Sequence, residues 1–203
     1  MDNHPNHPKA SSAKLLKDYI YKGSVDKLPL KVDPGKYHLS RSKSLYQSKQ
    51  YGLCLIEAGT AARLSPDDLK VQEILVGLHS MFLRLDMAEK SVGTFIKYAK
   101  EDNKLKSRGY QELADIEVLR GHLKKAKELY EKAKGLGDPN GIAKVSLDEF
   151  PEKVDSTERQ PLNPNALFID PINALNRKGE IFAHFGMYQR AMGIYSMVLR
   201  MNP

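Results

Sequence analysis

The chain has 203 residues, 41% hydrophobic and 28% charged, which is enough to bury a core and too balanced for a disordered polyelectrolyte. Its net charge of +7 favours acidic partners, yet lysines and arginines are spread among carboxylates instead of forming the dense stripe that phosphate contacts require. A single cysteine, Cys54, excludes an intrachain disulfide, and no apolar run approaches bilayer length, so no membrane insertion is expected.

The first ten residues, MDNHPNHPKA, are polar and lack the apolar stretch of a secretory signal. They read as a disordered tail over 1–10, and a cytoplasmic location is expected. Over 11–34 the pattern predicts one N-terminal helix and a linker. Leu15, Leu16, Tyr19 and Ile20 form an apolar stripe that Ser12 can cap and Gly23 can end.

From 35 to 138 three related windows follow. The first carries Leu45, Cys54, Ala58, Ala61 and Pro66, with Arg41 and Ser42 where an apolar and a small residue belong. Ser65-Pro66 reads as a helix start, an N-cap before a proline. The second carries Leu75, Leu78, Phe82, Phe95 and Tyr98, but places His79 and Ser91 in slots that favour small residues. The third carries Ala114, Ala126, Tyr130 and Ala133, with Gly121 as its turn and Glu117 in an aromatic slot. Residues 139–171 hold Pro139, Pro151, Pro161 and Pro164 and read as an irregular insertion, with a short helix through Ile142 to Phe150. DPNG at Asp138 to Gly141 reads as a turn. A fourth window, 172–203, follows the N-cap Asp170-Pro171 and repeats the earlier intervals. Gly179, Phe182, Ala191 and Tyr195 stand in the slots of Ala114, Glu117, Ala126 and Tyr130.

This arrangement resembles the tetratricopeptide repeat, a helix–turn–helix of about 34 residues in which small residues allow close helix approach and large ones fill the gaps. The fold expected is all-α: a solenoid of antiparallel helix pairs with an extra N-terminal helix. The resemblance implies a groove lined by the first helix of each pair. Counting along those helices puts Leu39, Lys43 and Tyr46 in it from the first window. Glu73, Val76, Ser80, Leu83 and Arg84 follow from the second, and Arg108, Gln111, Asp115, Val118 and Leu119 from the third. The fourth contributes Asn173, Asn176, Glu180, Ala183 and His184. The partner-binding set is taken as Tyr46, Val76, Leu83, Arg84, Arg108, Val118, Leu119, Asn176 and Glu180, with Val76, Leu83, Val118 and Leu119 expected to form one exposed apolar strip. The version of this groove that clamps a chaperone's terminal carboxylate is not matched. Only Lys43 falls in a clamp slot, while Leu39, Gly77 and Glu112 replace the expected donors.

No catalytic, cofactor or metal site is expected. There is no phosphate-binding glycine loop or dinucleotide fingerprint, and none of the six histidines pairs with cysteine at zinc spacing. Cys54 fits a packing role and His79 a core position. The expected function is a non-enzymatic adaptor or chaperone-like module that holds a protein or amphipathic peptide segment. The alternative is an RNA- or acidic-surface-binding protein driven by net positive charge, with nucleic acid the less favoured partner. The final helix, Gln189 to Met201, has apolar residues on more than one side, so a homo-oligomer through this end is also expected.

Overall fold

The computed structural model describes residues 33–151 and 170–201. The expected tail, the Leu15–Ile20 helix and most of the Pro-rich insertion lie outside the described residues. Among those described there are nine helices and no strand. They are α1 (Pro34–Gln47), α2 (Tyr51–Leu64), α3 (Leu69–Met81), α4 (Leu85–Tyr98), α5 (Asn103–Leu119), α6 (Leu123–Gly135), α7 (Ile142–Asp148), α8 (Pro171–His184) and α9 (Tyr188–Met201). All belong to the unit that begins at Pro34.

Four hairpins form from consecutive helices: α1 with α2, α3 with α4, α5 with α6, and α8 with α9. One turn recurs in all four. Lys49, Leu83, Gly121 and Gly186 each adopt a left-handed backbone, with φ of 59°, 52°, 80° and 78°. The next residue then donates its N–H five residues back: Gln50 to Leu45, Arg84 to His79, His122 to Glu117, and Met187 to Phe182, at 2.8–2.9 Å. This is the hydrogen bonding that closes a helix around a left-handed residue. It stops each first helix at the same point and sends the chain back along it.

Helix starts follow side-chain chemistry. Asp102 caps α5 through Leu105 N, and Asp170 caps α8 through Ile172 N with Pro171 beginning the helix. The expected start at Ser65-Pro66 is corrected. Asp68 is the cap of α3, accepting from Lys70 N and Val71 N, and Ser65 to Asp67 forms the turn before it. DPNG is a turn in which the Asp138 carboxylate receives Ala143 N and Lys144 N at the start of α7.

Small residues set the helix spacing. Cys54, Ala58, Ala61, Ala114, Ala126 and Ala133 are fully buried. A methyl group on Gly179 would sit 2.5 Å from the Tyr195 ring, so the α8–α9 approach requires glycine there. Large side chains fill the remainder, Tyr130 and Phe182 with no exposed surface, each contributing roughly 1.5–3 kcal/mol through burial.

The first three pairs pack in order, α2 on α3 and α4 on α5. The last pair departs from that order. The short α7 is the next neighbour of α6, and α8 lies against α5 and α3, the first helices of the two middle pairs. The C-terminal hairpin is therefore folded back onto the helices expected to line an open groove.

Candidate functional site: a half-open cavity beside the C-terminal hairpin

A cavity of about 880 Å³ lies between α1, α3 and α5 on one side and α7, α8 and α9 on the other. Its walls are mostly apolar, from Tyr46 on α1, Ile74, Leu78 and Met81 on α3, Val145 on α7, Leu175 on α8, and Ile194 and Met197 on α9. The size lies within the range of small-ligand and peptide-anchor pockets.

One cluster of buried charge lies in its wall. Asp115 of α5 is 4% exposed and meets Arg190 of α9 at 2.5 Å and Lys178 of α8 at 3.1 Å. The Tyr130 hydroxyl of α6 donates to the same carboxylate at 2.6 Å. Burial alone would raise the Asp115 carboxyl, but Arg190, Lys178 and the Tyr130 hydrogen bond outweigh it and hold it below its ordinary value. Burial and the neighbouring Asp115 together push the Tyr130 phenol well up, so it stays a donor. Burial opposes the charge on Arg190, and Asp115 more than offsets it. Arg190 Nε is buried without a hydrogen-bond partner. The cluster joins four helices and adds a polar tie between the returning hairpin and α5. A charge left unpaired at such depth would cost several kcal/mol.

Of the nine residues expected to bind a partner, Tyr46 lines this cavity. It is 43% exposed and packs edge-on against Tyr51. The expected exposed strip is corrected: Val76, Leu83, Val118 and Leu119 are at most 7% exposed. Leu83, Val118 and Leu119 share one core with Phe182, Phe185 and Met187 of the C-terminal hairpin, and Val76 packs with Val92 and Phe95. Leu83 also occupies the left-handed turn position and so is not on a helix face at all. Arg84 is exposed beside Phe82, Arg108 is paired with Glu73, Asn176 is half-buried, and Glu180 pairs with Arg177 at 2.9 Å.

Lys43, Glu73, Ser80, Gln111 and Asp115, also counted along the inner helices, do line the cavity. Gly77 and Glu112, counted at clamp slots of the groove, line it as well, whereas sequence reasoning missed Lys178, Arg190, Gly193 and Arg200. The signal available for Lys178 and Arg190 was their position among apolar and small residues of the last window.

Glu117, in its aromatic slot, is 1% exposed and held by Arg120 at 3.1 Å, His122 at 2.7 Å and Lys125 at 3.0 Å. Burial raises its carboxyl, and the hydrogen bonds from Lys125 and His122 reverse that. Cys54 is buried against the Ser42 hydroxyl at 3.4 Å, and burial pushes its thiol up, away from the reactive thiolate. Among the described residues no group of three His, Cys, Asp or Glu side chains is placed to hold a metal ion, and no helix is long and apolar enough to cross a membrane.

No family model matches the sequence, and no curated protein matches it at a significant level.

Proposed function

We propose that this chain is a non-enzymatic, helical-repeat binding module of the tetratricopeptide kind, an adaptor or chaperone-like protein that holds a segment of a partner protein. The observation that carries this reading is the apolar cavity between the inner helices α1, α3 and α5 and the returned hairpin. In this reading the binding site is that cavity and not an open groove, and the partner contributes a short segment, not a long helix laid across the array. The charged groups in the wall, Asp115, Lys178 and Arg190, are engaged with one another and serve to hold the wall in place.

The reading is tested by placing a diazirine-bearing lysine analogue at Lys43, which lines the cavity, or at Lys97, exposed on α4, and irradiating cells of the native source. Cross-links to a discrete polypeptide from position 43 and not from 97 support it. Equal labelling from both positions, or none from 43, overturns it.

A further inference from the structure

Two glycines on different helices line the cavity, Gly77 in α3 and Gly193 in α9. Glycine inside a helix costs about 1 kcal/mol relative to alanine, so its presence calls for a cause. At Gly109 and Gly179 the cause is packing, since an added methyl would strike Ile96 and Tyr195 respectively. At Gly77 and Gly193 an added methyl would meet nothing within 4 Å. Gly52 and Gly93 are equally open, and all four glycines are exposed, but Gly52 and Gly93 take no part in this cavity's lining. What distinguishes Gly77 and Gly193 is that both leave their space inside one cavity. Side chains there would narrow it.

The charges of the lining are unequal. Lys43, Lys178, Arg190 and Arg200 stand against Glu73, Glu112 and Asp115. Glu73 is already held by Arg108, which is not part of the lining, so cations exceed the remaining carboxylates by two. Lys178 and Arg190 share Asp115, while among the described residues no carboxylate lies within ion-pair distance of Lys43 or Arg200. Arg200 neighbours Met201, whose carbonyl receives Lys49 Nζ at 2.8 Å from the α1–α2 turn. A further cation, the Lys49 ammonium, is thus held one residue beyond Arg200, outside the cavity lining.

We infer that the cavity selects a ligand with a bulky apolar group and an anionic group, the first seated between Gly77 and Gly193 and the second drawn to the Lys43 and Arg200 side chains. Resting on the function proposed above, the ligand is an apolar segment of a partner protein carrying an acidic side chain. Apolar walls supply most of the binding free energy, and unpaired cations in a partly enclosed space discriminate by charge.

Two dyes of similar shape test this on the full chain: 1-anilinonaphthalene-8-sulfonate, which is anionic, and N-phenyl-1-naphthylamine, which is uncharged. The wild type is expected to bind the sulfonate saturably. Gly77→Leu and Gly193→Leu, each checked for an unchanged or raised melting temperature, should weaken both dyes by about tenfold or more. Lys43→Gln combined with Arg200→Gln should weaken the sulfonate about fivefold and leave the neutral dye within about twofold, with the difference fading at high salt. Binding that ignores the leucine variants, or a charge variant that affects both dyes alike, overturns the inference. Sulfonate binding with the expected pattern, but no polypeptide cross-linked from position 43, would overturn the peptide reading and leave the cavity's chemistry standing.

Discussion

His79 and Ser91 face each other across the α3–α4 hairpin, the imidazole Nδ1 3.0 Å from the serine Oγ, and both are at least nine-tenths buried. Each alone violates the preference for a small residue at its slot. Together they occupy the space as a hydrogen-bonded pair, which satisfies the polar atoms that burial would otherwise strand. Burial, with the Arg84 charge adding to it, lowers the His79 pKa to about 4, so the ring is neutral at physiological pH.

That shift has a sign. The unfolded chain takes up the His79 proton near pH 6.5 and the folded chain only near 4, so the unfolded state binds more protons between these values. Stability is full above 6.5 and falls through that window, by about 2–3 kcal/mol for this residue. Urea unfolding at pH 7.5 and 4.5 should show the loss in the wild type, and His79→Gln should reduce the difference between the two pH values. An identical pH dependence in the variant would place the titration elsewhere.

Asp115 is expected to be the most sensitive single charge in the chain. Asp115→Asn leaves Lys178 and Arg190 buried without their anion, at a cost of about 3–5 kcal/mol. Replacing Lys178 by Met in the same background should recover part of this, because one stranded cation is removed. A double variant as unstable as the sum of the two single variants would mean that these groups are not coupled.

The shared turn makes a comparison among hairpins. Gly121→Ala and Gly186→Ala force a side chain into the left-handed region and should each cost about 1–2 kcal/mol in thermal or urea unfolding. Gly135→Ala, at the end of α6 with no positive φ, should not.

The outer face of α9 leaves Met192 and Leu199 at 61% and 70% exposure. Apolar side chains of this size gain roughly 1.5–3 kcal/mol each on full burial, so self-association through this helix is expected at high protein concentration. Sedimentation equilibrium of the wild type should show concentration-dependent mass, and Met192→Lys with Leu199→Lys should abolish it. A strictly monomeric wild type would remove the homo-oligomer from the account.

The helix pairs were legible because their signals are local. Gly121, Asp170-Pro171 and the buried alanines each act within a turn or two of the chain. The cavity was only partly legible, because its far wall depends on where the segment after α7 returns. Residues spaced for an exposed strip, Leu83, Val118 and Leu119, acquired a cover from the same chain. Sequence spacing orders residues on one helix and carries little information on which distant hairpin lies over them. The clue that existed was electrostatic: Lys178 and Arg190 fall among packing residues, and a buried cation requires an anion. Asp115 was placed on the inner face, but its partners were not identifiable without the hairpin's position.

Occupancy of the cavity lined by α3 and α9 by a partner segment is read out by calorimetric titration with the segment recovered from cross-linking at position 43. The wild type and Gly77→Leu are compared after their helicity and melting temperatures have been matched. Filling the cavity is expected to weaken binding by at least about tenfold, or 1.4 kcal/mol. Equal affinity for the two proteins would place the partner elsewhere on the surface and contradict the account.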